Sequence, residues 1–516
     1  MSNKTKNLIL DMQPKILFAV EPTPQTEQLN SPNDASLLTD GKYATNANIY
    51  DTAFFKFCRG IERRLVFDLG ADREIAGFKA SFLYDTQTAV NLPRVLKVLL
   101  SENGTDWQAV HKQFGLFADE EPSIVAAEAK FDSVYKARFA AFEFNVDCWV
   151  FCDEIELYGS ETISENAKTI VPDPIVYVDY PNKYIYPEDF HNVHDIMLFY
   201  NCLAKNPPVG LVPKEKILPY VGYINKDGKI ADTFFDSYLF LPFVSNAPSG
   251  GFYYDNPKAP GNFSDWKYYV DNVFEDGYNI NALNDAAGEV KAATGRHDYI
   301  VNVFFSVLFP VRTQTQFGSP VEGESFDFTN VADRKTAIKW LIDEQMVRID
   351  KGDYKHLKLL GFYWFHESIN FGDKQELELI KYTTDYVRSL GLNTIWIPYY
   401  QASGYNSWAE LGFDVACMQP NYAFSKNPPK IVYDCAEAVK KLGMCLEMEI
   451  GGLTQEHVDK YNIYLKAGVE TGYMDALHMY YQGGGPGEFY KALNSNDPYV
   501  NAVYHDTYKF VKHTLK

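Results

Sequence analysis

Eight short apolar runs follow one another in the C-terminal part of this 516-residue chain. Most are separated by segments with the spacing of amphipathic helices, and two of these segments end in a glycine, Gly391 and Gly443, immediately before the next run. Strands that alternate with helices indicate a parallel sheet, and eight repeats predict a closed (β/α)8 TIM barrel. The runs, each with its first residue, are DIMLFYN (Asp195), SYLFLPFV (Ser237), YIVNVFFSVLF (Tyr299), LKLLGFYWFHE (Leu357), NTIWIPYY (Asn393), DVACMQP (Asp414), GMCLEMEI (Gly443) and DALHMYYQ (Asp475).

One segment between the first two runs interrupts the repeat. LPYVGYINKDGKIADTFFD is too short to hold a strand and a crossover helix, and Asp227-Gly228 favours a hairpin turn. We therefore expect LPYVGYI to be an extra strand outside the barrel. In the alternative, LPYVGYI is the first barrel strand and DIMLFYN is not, and the ranks of the later strands stay the same.

Two of the predicted strands end near glutamates. Glu367 closes the fourth strand, and the seventh contains Glu447 and Glu449. The C-terminal ends of barrel strands form one face, where catalytic residues lie. Two carboxyls at that face suit glycoside hydrolysis, in which one protonates the leaving oxygen and the other attacks the sugar or activates water.

The residues before Glu367 favour a role as general acid/base. Trp364, Phe365 and His366 form a mostly apolar, aromatic neighbourhood that withdraws a carboxyl from water and favours its protonated form. The alternative is an exposed glutamate that caps the following helix.

Glu447 and Glu449 alternate with Leu446, Met448 and Ile450, so both are expected to face the barrel axis. A buried carboxylate is costly unless it is used or paired. Glu449 lies nearer the open end and is the predicted nucleophile, with Glu447 as a buried partner, although the sequence leaves open which of the two attacks.

Other polar and aromatic residues at the strand ends are candidates for substrate binding, because amides and phenols bind sugar hydroxyls. Arg312 would bind an acidic sugar unless it forms a surface ion pair. The candidates are His366, Trp364, Tyr399, Tyr400, Gln401, Gln419, Asn421, Tyr422, His478, Tyr480, Gln482 and Arg312.

The N-terminal part has a different pattern, with short alternating strands broken by turn residues, which predicts an antiparallel β-sandwich. The expected domains are a tail at 1–20, the sandwich at 21–160, a connector rich in Pro and Tyr at 161–190, and the barrel at 191–516.

Four segments of the sandwich, LLTDG, LVFDLG, LLSENGTDWQAV and EIELYG, resemble the discoidin, or coagulation-factor type C, family of galactose-binding-like domains. The resemblance implies a jelly-roll fold with ligand-binding loops. It suggests that an aromatic rim with Tyr43, Tyr50, Phe54 and Arg59 binds sugar, although an ordinary packed loop explains the same residues. It also implies a structural calcium near Asp40.

In the barrel, DIMLFY, LPYVGY, GFYWFHE and LEMEI resemble a bacterial family of unknown function whose barrel looks like that of retaining glycosidases with glutamates on strands four and seven. The resemblance implies a glycoside hydrolase. One departure is His366, because many such glycosidases have Asn directly before the acid.

The composition excludes some partners. A net charge of −20 argues against nucleic acid, which requires clustered Lys and Arg, and no apolar run is long enough to span a bilayer. The seven cysteines show no metal-site spacing and are expected to be reduced and buried. No leader is evident, so the chain as written is expected to be cytoplasmic, or secreted if a leader was removed.

Together these features predict a retaining glycoside hydrolase that acts on a poly- or oligosaccharide, needs no cofactor for catalysis and has an accessory carbohydrate-binding domain. The alternatives are a glycan-binding protein with a degenerate barrel and an inverting glycosidase, whose two carboxyls are farther apart.

Overall fold

The computed structural model describes residues 5–18, 34–174, 180–203, 210–243, 252, 260–484 and 487–516. The chain divides into two compact units. The first comprises Met1–Val178 with Ser368–Leu377 and Gln401–Asn406, and the second comprises Asp179–Glu367, Glu378–Tyr400 and Ser407–Lys516.

The first unit is an antiparallel β-sandwich, as the alternating pattern predicted. Two long strands, β4 and β7, pair with each other, and register shifts near Asp68 and Ile75 interrupt the ladder. The sheet order is β1-β8-β4-β7-β5-β6, with β2 paired to β4 and β3 to β8. The strands are β1 Lys6–Asn7, β2 Lys15–Phe18, β3 Phe55–Cys58, β4 Ile61–Tyr84, β5 Val95–Ser101, β6 Gln108–Phe114, β7 Ser123–Val146 and β8 Trp149–Ser160.

Alternating aromatic residues fill the core of the sandwich. Phe67, Phe78 and Phe82 of β4 are buried with Phe142 and Phe144 of β7. Their rings meet edge to face, with centroids 5.6–6.2 Å apart, an arrangement that adds to the free energy of burying the rings.

Part of the expected N-terminal tail belongs to the sandwich, which corrects the predicted boundary. Strands β1 and β2 lie within residues 1–20, and Ile9 between them is fully buried. The segment KILF alternates exposed and half-buried residues, as a strand at a sheet surface does. Residues 19–33, where the sandwich was expected to begin, lie outside the described residues.

The second unit contains a closed barrel of eight parallel strands, and all eight predicted runs form its strands in sequence order. The fourth strand is β14 and the seventh is β17. Neighbouring strands are joined by ladders of different lengths: seven residue pairs between β13 and β14, but two on each side of β16. The barrel strands are β9 Asp195–Asn201, β12 Ser237–Pro242, β13 Val301–Val307, β14 Leu357–Trp364, β15 Asn393–Trp396, β16 Val415–Met418, β17 Cys445–Glu449 and β18 His478–Tyr481.

Helices accompany the strands as the amphipathic pattern predicted. Gly443 ends α6 with φ of 64°, a left-handed conformation that glycine adopts at little cost, and its N–H binds the carbonyl groups of the last turn. None of the helices in the described part of the chain is long and apolar enough to cross a membrane. The helices are α1 Lys214–Val221, α2 Phe263–Val273, α3 Asn279–Thr294, α4 Val331–Lys351, α5 Lys374–Ser389, α6 Lys430–Leu442, α7 Gln455–Thr471, α8 Glu488–Leu493 and α9 Pro498–Val511.

The segment between the first two barrel strands is partly different from the prediction. A hairpin of β10 Gly222–Ile224 and β11 Ile230–Thr233 lies outside the barrel, as expected. The preceding residues Leu218–Val221 are the end of α1, however, and not part of a strand. A short apolar run has no periodicity that separates helix from strand.

All seven cysteines are free and buried, which confirms the expectation from their scattered positions.

Candidate active site

A cavity of about 200 Å³ lies among residues from the C-terminal halves of the barrel strands and the segments that follow them. It contains all three glutamates that the sequence singled out. Its lining residues are Leu198, Tyr200, Leu241, Tyr363, Glu367, Ile397, Gln419, Phe424, Glu447, Glu449 and Tyr481.

Glu367 reaches the cavity from a loop rather than from the strand itself. Strand β14 ends at Trp364, so Glu367 lies three residues beyond it and not at its last position as expected. The side chain is half-buried. The next helix, α5, begins at Lys374, which is too far along the chain for Glu367 to be its N-cap.

Glu447 and Glu449 both lie on β17, which packs against α6 and α7. Because side chains alternate across a strand, residues two apart share a face. Both glutamates line the cavity, and each is less than 3% exposed. Their shared orientation is the one that the alternation with Leu446 and Met448 predicted.

Glu449 is held by Tyr464 of α7. The phenol donates a hydrogen bond to the Glu449 carboxylate. The same phenol oxygen accepts the backbone N–H groups of Tyr422 at 3.2 Å and Ala423 at 3.3 Å, so Tyr464 also ties the segment after β16 to α7.

The two glutamates of β17 differ in their electrostatic environment. Burial raises the pKa of Glu449 to about 7, while hydrogen bonds from Tyr464 and the backbone of Asn421 and Tyr422 oppose that rise. Burial, followed by the negative charges of Glu449 and Glu367, raises the pKa of Glu447 well above its ordinary value. Glu449 therefore ionises more readily than Glu447.

Glu447 has no hydrogen bond to any residue in the described part of the chain, although it is only 2% exposed. The groups that raise its pKa besides burial are Glu449, Glu367 and Cys445, which lies two residues earlier on the same strand. A buried carboxyl without a protein partner is costly, and groups of this kind concentrate at ligand sites.

Apolar and aromatic side chains complete the cavity, and the sequence interpretation did not include them. Leu198 and Tyr200 are two residues apart on β9, so they share a face of that strand, and both line the cavity. Phe424 is 52% exposed and meets the Tyr481 ring edge to face at 5.2 Å. An exposed aromatic ring beside a polar cavity suits stacking against a sugar face.

Of the predicted substrate-binding residues, the structure places Gln419 in the cavity, where its amide donates to the Ile397 carbonyl at 3.1 Å. Asn421 and Tyr422 lie next to the site through their backbone, because both contribute hydrogen bonds to Glu449. The Tyr422 ring packs on Tyr464, with centroids 6.0 Å apart.

Three predicted residues around β18 face away from the cavity, which corrects the prediction. Tyr480 is buried and donates to Asp195 at 2.7 Å, and Gln482 accepts from Tyr220 of α1 at 2.9 Å. His478 is the first residue of β18, at the opposite end of the strand, 3.4 Å from Asp195. The side chain of Tyr481 lines the cavity, so residues one position away on the strand point outwards.

The remaining barrel candidates are also outside the cavity lining. Trp364 and His366 pack against the ring of Phe309, with centroids 5.8 Å and 4.4 Å away. Tyr400 is buried, and Arg312 and Tyr399 are half-buried. Gln401, with φ of 52°, groups with the first unit of the chain.

In the sandwich, the structure separates the predicted rim residues. Tyr50 is 84% exposed, whereas Phe54 is 2% exposed and packs against Phe151, so Phe54 is a core residue and not part of a binding surface. Arg59 is half-buried at the turn between β3 and β4. Tyr43 donates to Glu156.

The expected calcium near Asp40 stays a prediction. The Asp40 carboxylate binds Lys42 at 2.9 Å, and within the described ranges no group of three or more His, Cys, Asp or Glu side chains could hold a metal. The nearby Glu154 accepts the Gly41 N–H at 3.0 Å, while its other carboxylate oxygen is buried without a hydrogen-bond partner.

Several solved structures are similar to parts of this chain, all with low TM-scores. The module CpGH89CBM32-6 of Clostridium perfringens is 20% identical with a TM-score of 0.21, and the match covers 30% of this chain and all of that module. The C-terminal domain of a chitobiase from Bacteroides fragilis is 16% identical with a TM-score of 0.20, covering 30% of this chain and 97% of that domain.

A fucosidase of Ruminococcus gnavus, solved with fucose, is 12% identical with a TM-score of 0.21, and the match covers 32% of this chain and 28% of the fucosidase. A comparison with curated protein sequences found no match. Because the TM-scores of these matches are low, the fold class of each unit rests on its own strand order.

A family model described as a domain of unknown function (DUF4855) matches residues 195–509. The matched region is more than half of the chain and includes all eight barrel strands with Glu367, Glu447 and Glu449. The chain belongs to the DUF4855 family.

Proposed function

We propose that the barrel is a retaining glycoside hydrolase that acts on a poly- or oligosaccharide. The observation that supports it most is that carboxyl groups from the fourth and seventh strand ends, far apart in the sequence, line one small cavity with aromatic side chains. Glycosidases use two carboxyl groups that flank the scissile bond, and ligand pockets are commonly lined by aromatic side chains.

In this proposal Glu367 is the acid/base and Glu449 the nucleophile. Glu367 donates its proton to the departing glycosidic oxygen while a carboxylate oxygen of Glu449 bonds to the anomeric carbon. Water then displaces Glu449 and gives a proton back to Glu367. The hydrogen bond from Tyr464 supports this choice of nucleophile, because it favours the ionised form of Glu449 and Glu447 has no such donor among the described residues.

The sandwich would then be an accessory carbohydrate-binding domain. The support is its resemblance to discoidin-type domains and the exposed ring of Tyr50, which is available to stack on a sugar.

The first test replaces Glu367 and Glu449 separately with Gln and measures turnover of a panel of aryl glycosides and polysaccharides. Each change should lower kcat by roughly 100-fold or more, because general acid catalysis alone contributes about 10²–10⁴-fold. Glu437→Gln, on the exposed face of α6, is the matched control and should keep full activity.

Proton NMR of the first product distinguishes the possible reaction courses. Retention of the anomeric configuration is expected, and net inversion would assign the inverting mechanism instead. Turnover that survives in both glutamine variants would contradict the catalytic assignment. Glycan binding without turnover in the unmodified protein would identify a non-catalytic binding protein.

A further inference from the structure

We propose that the cavity accepts a sugar with a free amino group, whose ammonium binds Glu447. The inference rests on the proposed hydrolase function, because it names the class of sugar that the same site would cleave.

The charge of the cavity is the first support. Three of its lining residues are carboxylic acids, and none of the described lining residues is Lys, Arg or His. Glycoside hydrolysis requires two carboxyls, so one is left for another purpose. An anionic sugar would meet acidic groups and no cation among the described lining residues, whereas an ammonium group favours the ionised form of a neighbouring carboxyl and is attracted to it.

The second support is the state of Glu447 itself. Its side chain is buried, lines the cavity and has no hydrogen bond to a described residue. An ammonium would favour the ionised form of Glu447, whose proton passes to solvent, and would supply the missing donors, giving a charge-assisted hydrogen bond that is about twice as strong as a neutral one. An acetamide or hydroxyl group supplies a donor but no positive charge.

The position of Glu447 places the amino group close to the reaction. Glu447 and Glu449 are two residues apart on one face of β17, so their Cα atoms are separated by about 6.6 Å along the strand. One sugar ring can therefore contact both. The cavity of about 200 Å³ is smaller than the roughly 300–1,000 Å³ of sites for drug-sized ligands, which favours a single terminal ring.

The experiment measures binding by titration calorimetry at a pH near 7, where sugar amines still carry a proton and the buried carboxyls ionise more readily than at lower pH. The probes are glucosamine and galactosamine, compared with their N-acetyl forms and with glucose and galactose. At least one amino sugar should bind about tenfold more tightly than both of its counterparts, since a hydrogen bond between charged groups is stronger than one between neutral groups.

Glu447→Gln should abolish that preference, and Glu437→Gln should retain it. Equal or weaker binding of both amino sugars, or no binding of either at millimolar concentration, would overturn the inference. So would a preference that persists in a folded Glu447→Gln protein. If this variant fails to fold, the comparison of ligands on the unmodified protein still decides.

Turnover is measured separately with aryl glycosides of the amino and neutral sugars. Hydrolysis of neutral glycosides without preference for the amine contradicts this inference and leaves the hydrolase proposal intact. If an amino sugar binds more tightly but no glycoside is hydrolysed, the hydrolase proposal is contradicted. The inference that the cavity binds an amino sugar then still stands.

Discussion

At the scale of single residues, one phenol distinguishes the two glutamates of β17. Both are buried in the same cavity, but Tyr464 donates a hydrogen bond to Glu449 only. A donor to a carboxylate stabilises its charged form, whereas burial and neighbouring acids favour the neutral form. The hydrogen bond from Tyr464 therefore makes Glu449 the more easily ionised of the two, which suits the role of nucleophile that we propose for it.

Tyr464→Phe should move the acidic limb of the pH–rate profile. A nucleophile must be ionised, and burial raises the pKa of Glu449 to about 7, so kcat/KM should fall as the pH drops below about 7. Loss of the phenol removes a donor to the ionised form, so the pKa of Glu449 rises further and the limb moves to higher pH. At an acidic pH, kcat/KM should then be about tenfold lower for every whole pH unit that the limb has moved.

The control is Tyr433→Phe, because the Tyr433 phenol on α6 binds the exposed Glu470. A full kcat/KM profile on one aryl glycoside tests both variants. An unchanged acidic limb in Tyr464→Phe would show that Glu449 does not control the ionisation that limits the rate.

The sequence predicted the acids of the site better than its other residues. Glu367, Glu449 and Gln419 line the cavity because they follow or end barrel strands, and Glu447 does so because it shares a face of β17 with Glu449. The candidates at β18 were wrong because the sequence did not show which set of alternate residues on that strand faces the cavity. Tyr481 faces it, so Tyr480 and Gln482 do not. Tyr464 has no sequence signal, since it reaches Glu449 from a helix 15 residues away.

At the scale of elements, β14 and β15 approach each other closely at Gly361. A Cβ atom built there would lie 2.1 Å from the Asn393 carbonyl oxygen, which is backbone and cannot turn aside. Gly361 pairs with Asn393 in the ladder between these strands. The strand that leads to Glu367 therefore requires glycine at this position.

Gly361→Ala should reduce the free energy of unfolding by about 1–3 kcal/mol, because the strands must separate to admit a methyl group. It should also lower activity, since β14 leads directly to Glu367. Chemical denaturation followed by far-UV circular dichroism measures the stability. Lys358→Ala, at an exposed site on the same strand, is the control and should change it little. Equal stability of the two variants would contradict the close approach.

The strands were the most predictable elements. Most barrel strands are short apolar runs next to a helix with amphipathic spacing, so pattern and length agree. The end of α1 was misassigned because Leu218–Val221 is apolar on all sides and has no such spacing. The early strands β1 and β2 were missed because two to four residues are too few for a periodic signal.

At the scale of the whole molecule, we expect one unit to bind polymer and the other to cleave it. Tyr50→Ala in the full chain should weaken retention on an insoluble polysaccharide substrate, because it removes an exposed ring that can stack on sugar. Turnover of small aryl glycosides should stay the same. A pull-down with the insoluble polysaccharide and kinetics on both substrates test this. Phe114→Ala, at another exposed ring of the sandwich, is the control.

The closed ring of eight strands has no free edge. A strand from another molecule can therefore pair with it only if the barrel first opens between two of its strands. Its shortest seams are the two residue pairs on each side of β16, compared with seven pairs between β13 and β14. Amide protons of β16 should therefore exchange with solvent earliest among the eight barrel strands. Transient opening of the barrel would then begin next to β17, the strand that bears Glu447 and Glu449.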